Sequence, residues 1–194
     1  MVGERKMVLA LIVATAVTGP IGLILEPKLD ALSTSLLALG IAYLCTTVIL
    51  CAAEYFTGNK GARTPENMGV VRAAVVGLIQ GIAVVPGISR SGSTIAGGMA
   101  IGLNREKATR FSFLLAIPII AAGGLKDGID ALQGQVILPS TLVCVVGFLA
   151  SAIAGYFAIR FMVNLVKKIK LYWFAGYTAI LGVVLLALHA LGIG

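Results

Sequence analysis

The stretch Gly69–Leu103, GVVRAAVVGLIQGIAVVPGISRSGSTIAGGMAIGL, decides the fold, because its apolar runs are shorter than those around it. The second of them, Ser91–Leu103, has 13 residues. As a helix it rises about 20 Å, against roughly 30 Å of hydrocarbon in a bilayer. Two short apolar helices joined by a Gly/Pro break are typical of a re-entrant hairpin. The sequence therefore predicts a re-entrant helical hairpin over about residues 69–103.

The rest of the chain has the composition of a membrane protein. It is 59% hydrophobic and 12% charged, whereas soluble domains are about 45–50% apolar and about 25% charged. Five further apolar runs approach or exceed the length that crosses a bilayer: Val8–Leu25, Ala31–Ala53, Phe111–Leu125, Val136–Ile159 and Leu171–Ile193. We expect an all-α integral membrane protein, a polytopic bundle of five spanning helices and one hairpin, in a single transmembrane domain over residues 1–194.

The net charge of +7 would suggest nucleic acid for a soluble protein, but in a membrane protein it indicates basic cytoplasmic loops. A hairpin that returns to its own side places twelve of the fifteen Lys and Arg residues on the face of the N-terminus: Arg5, Lys6, Lys60, Arg63, Arg72, Arg105, Lys107, Arg110, Arg160, Lys167, Lys168 and Lys170. Lys28 and Lys126 fall on the other face, in loops that also hold Glu26, Asp30, Asp127 and Asp130. We predict a cytoplasmic N-terminus and no nucleic-acid partner.

No metal ligands can be identified in the sequence. The three cysteines lie inside apolar runs, no C-x-x-C pair occurs, and there is one histidine, so neither a zinc site nor a disulfide framework is supported. Three acids fall in expected cytoplasmic loops, away from the hairpin tip: Glu54, Glu66 and Glu106.

The hairpin tip has the chemistry of an anion site. Pro86 and Gly87 are expected to end the first helix, and Ser91–Thr94 to supply the N-cap of the second. The N-terminus of that helix directs its free N–H groups and positive dipole end at the tip. Asn104 is expected to cap the following helix, whose basic start indicates a cytoplasmic loop or, alternatively, head-group contact.

The side chains at the tip suit a phosphate or diphosphate. Arg90 adds a planar fork that matches phosphate oxygens in pairs. Such an arginine costs roughly 2.5–3.5 kcal/mol near the bilayer centre, which favours a function over an arginine satisfied by carbonyls at a helix break. Gln80, on the first helix, can orient a group but not act as a base. Hydroxyl donors surround the arginine: Ser89, Ser91, Ser93 and Thr94.

These residues carry a family resemblance. The segment Gly77–Ile120, GLIQGIAVVPGISRSGSTIAGGMAIGLNREKATRFSFLLAIPII, resembles the second signature region of the undecaprenyl-diphosphate phosphatases of the bacitracin-resistance family. The family's first signature, a Glu-rich helix leading into P-x-S-S-x-G-H, does not occur in this sequence. The resemblance therefore covers the C-terminal two-thirds of the family's inverted-repeat fold, without its first hairpin.

The resemblance implies an enzyme of the plasma membrane that hydrolyses undecaprenyl diphosphate to the monophosphate and inorganic phosphate, with Mg²⁺ or Ca²⁺ as cofactor. It implies catalytic roles for Arg90, Ser89 and Thr94. Phosphate binding is expected of four more residues: Ser91, Ser93, Gly87 and Gln80.

Two alternatives remain open on the sequence. Broken helices with N-termini directed at an anion also occur in transporters, so a carrier or flippase for an anionic lipid is one. The other is a non-catalytic half that needs a partner chain, either a second copy or the missing N-terminal half, to complete its site.

Overall fold

The computed structural model describes residues 2–56, 63–134 and 139–193. In these ranges the chain forms seven α-helices: α1 (Val2–Thr34), α2 (Leu36–Phe56), α3 (Val70–Ile82), α4 (Arg90–Ala100), α5 (Arg105–Leu132), α6 (Thr141–Lys168) and α7 (Tyr172–Ala190). Five of them, all except α3 and α4, are long and apolar enough to cross a membrane. The predicted all-α membrane bundle is confirmed. Lys60 and the beginning of the run predicted from Val136 lie outside the described residues.

Two of the expected outer loops are helical instead. Helix α1 continues through Pro20 and Pro27 to Thr34, and α5 continues to Leu132. The placement of Glu26, Asp30, Asp127 and Asp130 in loops was therefore wrong; all four lie in the last turns of α1 or α5. Charged residues can extend a helix past the apolar run, and here Lys126 of α5 forms an exposed ion pair with Glu26 of α1.

Glycines allow close helix contacts in the bundle. A Cβ added to Gly77 on α3 would overlap the backbone of Ala14 on α1, and one added to Gly81 would lie 2.8 Å from the side chain of Ile21. Gly40 has the same role between α2 and α7: a Cβ added to it would lie 3.2 Å from the backbone oxygen of Gly182. Small residues at helix interfaces let backbones approach closely in membranes.

Both ends of the α3–α4 hairpin lie at one end of the bundle. The segment before α3 runs beside the residues after α4: the Arg63 N–H donates to the Gly102 carbonyl (3.1 Å), and the Arg63 guanidinium donates to the Ile101 carbonyl (3.0 Å). Because the hairpin leaves and returns at the same end, it does not carry the chain across the bundle.

The same end of the bundle holds a buried ion pair that joins three chain segments. Glu54, in the last turn of α2, contacts the guanidinium of Arg105, at the start of α5, at 3.2 Å. The other Glu54 oxygen accepts the Leu171 N–H at 3.1 Å, and Arg105 donates to the Ile169 carbonyl at 2.8 Å. The expectation that Glu54 lies in a cytoplasmic loop was wrong: its side chain is 4% exposed, because Arg105 and a backbone N–H satisfy it there.

The hairpin tip stops near the middle of α2. Thr46 of α2 accepts the Ser89 N–H at 3.1 Å and donates to the Gly87 carbonyl at 3.3 Å. Thr46 precedes Glu54 by eight residues, a rise of about 12 Å in a helix. The tip therefore lies well inside the span of α2, as a re-entrant hairpin requires.

Candidate functional site

The break between the two short helices begins before the proline. Helix α3 ends at Ile82, so the prediction that it continues to Pro86 was wrong. The next residues form tighter turns, with the Val84 N–H on the Gly81 carbonyl (3.4 Å) and the Val85 N–H on the Ile82 carbonyl (3.3 Å). A residue before proline is disfavoured in the α conformation, which explains why the helix cannot reach Pro86.

Gly87 makes the turn and the close approach to α2. Its φ of +87° lies in the region that favours glycine. An added Cβ would also lie 2.8 Å from the Cβ of Ala42 and 3.0 Å from the Leu39 carbonyl oxygen. Gly87 therefore has a structural role in the tip; its expected phosphate binding stays a prediction.

Ser89, not a residue of Ser91–Thr94, is the N-cap of α4. Its φ and ψ are extended, and its Oγ accepts the Gly92 N–H at 3.1 Å. The predicted cap was two or more residues too late, because α4 already begins at Arg90. A capping Oγ that accepts one hydrogen bond keeps its own proton for another acceptor.

The arginine and three of the predicted polar residues line one cleft, which we call the Arg90 cleft, of ≈ 470 Å³. Its polar lining is Gln80 from α3, Arg90, Ser91 and Thr94 from α4, and Ser112 from α5. Among the described residues, Arg90 has no carboxylate at ion-pair distance. The apolar lining comes from α5 and α6: Phe113, Ala116, Ile117, Ile120 and Ile159.

A second cleft, of ≈ 350 Å³, lies beside the same helix start. Gly87, Ser89 and Ser91 line it, together with aromatic and aliphatic residues of α2, α6 and α7 that include Tyr43, Phe174 and Tyr177. Ser91 lines both clefts, so the first turn of α4 lies between them. Ser93 lines neither; its Oγ is buried and has no hydrogen-bond partner among the described residues.

Two polar residues at the site were missed by the sequence analysis. Thr46 holds the tip through Gly87 and Ser89, and the Ser112 Oγ lies 2.5 Å from the Thr94 Oγ1. Ser112 stands in the quoted motif, in RFSFLL, but its approach to α4 depends on helix packing. Thr46 lies in an apolar run and carries no local pattern.

The arrangement can bind and polarise an anion in a low-dielectric site. A fixed positive charge, free N–H groups at the start of α4 and several hydroxyls converge there. Neither cleft is lined by a carboxylate or a histidine, and no group of three or more His, Cys, Asp and Glu side chains in the described ranges could hold a metal ion. The described lining of both clefts therefore offers groups for charge stabilisation but no carboxylate or histidine for proton transfer.

The fold and the site together define a polytopic helical membrane protein with an arginine- and hydroxyl-lined cleft at the tip of an intramembrane hairpin. The family model of the bacitracin resistance protein BacA matches residues 2–184. The chain belongs to the BacA family.

Several undecaprenyl-diphosphatases are similar to this chain over most of its length. An undecaprenyl-diphosphatase of Alkaliphilus metalliredigens (strain QYMF) is 43% identical over 178 residues, which cover 92% of this chain and 64% of that protein. One of Bacteroides fragilis is 37% identical over 191 residues, which cover 97% of this chain and 70% of that protein. One of Methanothermobacter thermautotrophicus is 38% identical over 177 residues and is covered over 97% of its length. The chain thus spans 64% of the first two relatives that it matches.

Proposed function

We propose that the protein hydrolyses undecaprenyl diphosphate to undecaprenyl phosphate and inorganic phosphate, which recycles the lipid carrier for cell-wall synthesis and confers bacitracin resistance. The observation that carries the proposal is the Arg90 cleft, where an arginine, hydroxyls and a helix N-terminus meet inside a membrane bundle. Membership of the BacA family and the undecaprenyl-diphosphatase relatives support the same substrate.

In this proposal the site stabilises the charge that develops when a diphosphate is cleaved. Water attacks the terminal phosphorus, the bond from that phosphorus to the bridging oxygen breaks, and the lipid monophosphate leaves. Arg90 holds two phosphate oxygens, and the Ser89 hydroxyl, which lines the second cleft, donates to a further oxygen of the head-group. Thr94 lines the Arg90 cleft and acts through the Ser112 hydroxyl beside it. Donors placed in advance in a water-poor site act most strongly on the transition state, and Gln80 orients the bound group.

Two further phosphate-binding roles are proposed for Ser91 and Ser93. Ser91 lies between the two clefts, where it can contact a head-group whose lipid chain lies to either side. Ser93 is buried one position before Thr94, and a small rotation of the first turn of α4 would be needed to bring its hydroxyl to the ligand.

The divalent cation implied by the resemblance does not fit a resident site in the described residues. Mg²⁺ and Ca²⁺ take oxygen ligands, chiefly carboxylates and phosphates, and no carboxylate lines the Arg90 cleft. We propose that Mg²⁺ or Ca²⁺ accompanies the diphosphate of the substrate.

A second candidate function follows from the missing acid. Proton transfer in hydrolysis calls for a general base, and the cleft lining provides none. Helix α6, which contributes Ile159 to the cleft, is exposed along nearly its whole length. A partner chain on this face, a second copy or a separate N-terminal half, would place its own acid beside Arg90, and the chain alone would then bind without cleaving.

The proposed orientation places the basic end of the bundle in the cytoplasm of a cell whose plasma membrane holds the protein. Lys6, Arg63, Arg105 and Lys107 lie at that end, with Lys167 near them, which fits the positive-inside rule. Alkaline phosphatase fused after Gly194 should be active, since five crossings place the end of α7 on the opposite face. An active green fluorescent protein fusion there, with inactive phosphatase, would contradict this orientation.

The experiment that tests the function measures phosphate release from undecaprenyl diphosphate by purified protein in detergent with Mg²⁺. Arg90→Ala should lower kcat/KM roughly 100-fold or more, whereas Arg72→Ala, an exposed arginine at the other end of the hairpin, should leave it within about twofold. Equal release by the Arg90 and Arg72 variants would refute the site. Binding without release by the wild type would favour the partner hypothesis, and lipid movement in vesicles without release would favour a carrier.

A further inference from the structure

Helix α5 contributes a hydroxyl to the Arg90 cleft that lies directly against the hairpin. The Ser112 Oγ and the Thr94 Oγ1 are 2.5 Å apart. Their residues are 3% and 2% exposed, yet both line the cleft with Arg90 and Gln80. The contact is placed by tight α4–α5 packing, in which a Cβ on Gly98 would lie 3.0 Å from the Cβ of Ala108.

The protons of this pair can be assigned from its acceptors. The Thr94 hydroxyl is 2.8 Å from the Arg90 carbonyl oxygen and 3.1 Å from that of Ser91. A carbonyl oxygen only accepts, so without ligand the single Thr94 proton points back along α4. The short contact then requires Ser112 to donate its proton to Thr94, and Ser112 presents only lone pairs to the cleft.

An anion in the cleft reverses the direction of the hydrogen bond between Ser112 and Thr94. Phosphate oxygens accept hydrogen bonds and bind hydroxyl donors more strongly than neutral acceptors do. If Thr94 turns its proton to Ser112, the Ser112 oxygen accepts that hydrogen bond and the Ser112 proton becomes available to the ligand. Thr94 gives up a carbonyl that belongs to its own helix, where such back-bonding contributes little to stability.

We propose that Ser112 is a further phosphate-binding residue, which turns its hydroxyl from Thr94 to a phosphate oxygen when the lipid diphosphate binds. The inference rests on the proposed function for the identity of the ligand. A contrasting hydroxyl stands one turn earlier on α5: Thr109 is fully buried, donates to the Arg105 carbonyl at 2.7 Å, and is absent from the cleft lining. A hydroxyl whose only role was a hydrogen bond to a carbonyl of its own helix would be buried away from the cleft, as Thr109 is.

The test compares a charged with an uncharged ligand. The dissociation constants of a non-hydrolysable methylene-diphosphonate analogue of a prenyl diphosphate and of the corresponding prenyl alcohol are measured on the purified chain. Ser112→Ala should weaken binding of the diphosphonate about tenfold, the usual size of one hydrogen bond to a charged group. It should change binding of the alcohol less than twofold, because the alcohol has no phosphate oxygen to accept the proton.

Two controls separate recognition from folding. Thr109→Val removes a buried hydroxyl from the same helix and should leave both constants within about twofold. Ser112→Cys keeps the side-chain volume with a weak donor and should resemble Ser112→Ala. The double variant Ser112→Ala/Thr94→Val should weaken diphosphonate binding by less than the product of the two single-variant factors, since the two hydroxyls act as one unit.

The outcomes distinguish the two proposals. An unchanged diphosphonate constant in Ser112→Ala and Ser112→Cys, or an equal loss for diphosphonate and alcohol, overturns the role of Ser112. Wild-type protein that binds the diphosphonate but releases no phosphate refutes hydrolysis by this chain alone, while the Ser112 comparison still decides the inference. Equal wild-type affinity for both ligands overturns the anion site itself.

Discussion

The buried ion pair between Glu54 and Arg105 offers the sharpest test of how the bundle is held together. Its side chains are 4% and 11% exposed, so solvent screens them little. Breaking such a pair by removal of one partner costs about 3–5 kcal/mol, because the remaining charge stays in a place of low dielectric. Glu54→Gln keeps an oxygen for the Leu171 N–H but presents a neutral amide to Arg105.

We expect Glu54→Gln to lower the free energy of unfolding by about 3 kcal/mol, and Glu54→Ala by about 5 kcal/mol since it also frees the Leu171 N–H. The assay is equilibrium unfolding in mixed detergent micelles, followed by the fluorescence of Trp173. The matched control is Glu106→Gln at the same end of the bundle. Glu106 is 37% exposed and pairs with Arg110 and Lys167, so its loss should cost no more than about 1 kcal/mol.

The difference in stability between Glu54→Gln and Glu106→Gln tests whether the Glu54–Arg105 ion pair is buried. A Glu54→Gln variant that unfolds at the same denaturant concentration as Glu106→Gln would refute a buried ionic contact between α2 and α5. A double variant, Glu54→Gln/Arg105→Gln, should be more stable than Glu54→Gln, because no charge then remains in the protein interior.

Three further changes test the hairpin and the segment that precedes it. Gly77→Ala should cost about 1–3 kcal/mol, since its Cβ would overlap the α1 backbone and cores resist overpacking; Gly123→Ala, with nothing near its Cβ, should be close to neutral in the same unfolding assay. Ser89→Ala should lose about 1 kcal/mol by removal of the α4 cap, and Ser89→Asn should retain most of it. The Thr64 hydroxyl is the main cause of a lowered pKa of Glu66, so the stabilising contact is present above the ordinary pKa of 4.5 and is lost as the pH falls through the lowered value. Limited proteolysis of residues 63–69 should therefore accelerate in the wild type as the pH falls below 4.5, and the Glu66→Gln variant should show no such change.

Which helices can span the membrane, which are too short, and where the arginine lies were predictable, because these are local properties of the sequence. The run Ser91–Leu103 is too short to cross a bilayer whatever its surroundings, and the structure has α4 over Arg90–Ala100. The ends of helices were less predictable. An apolar run marks the part of a helix inside hydrocarbon, whereas α1 extends to Thr34 through charged residues that can extend into water.

The buried contacts of polar residues were not predictable, since they join distant parts of the chain. Glu54 and Arg105 stand 51 positions apart, and no periodicity indicates that an acid at the end of an apolar run will be buried by a partner. Ser112 reaches Thr94 only because Gly98 lets α5 approach α4. The cap was misplaced for a simpler reason: several consecutive Ser and Thr residues could each act as an N-cap, and the choice of Ser89 depends on the turn before it.

A hairpin delivers to the middle of a membrane something that a spanning helix cannot, namely a helix N-terminus with free N–H groups. The cost is a break in the backbone where no water can satisfy it. Thr46 of α2 removes part of that cost, because its one hydroxyl accepts from Ser89 and donates to Gly87 across the break. The same contact fixes the first turn of α4 against α2. Thr46, which makes the break tolerable, therefore also orients the proposed anion site, because Arg90 directly follows the turn that Thr46 holds. Rigid support for the tip and the proposed charge recognition there thus depend on one packing contact.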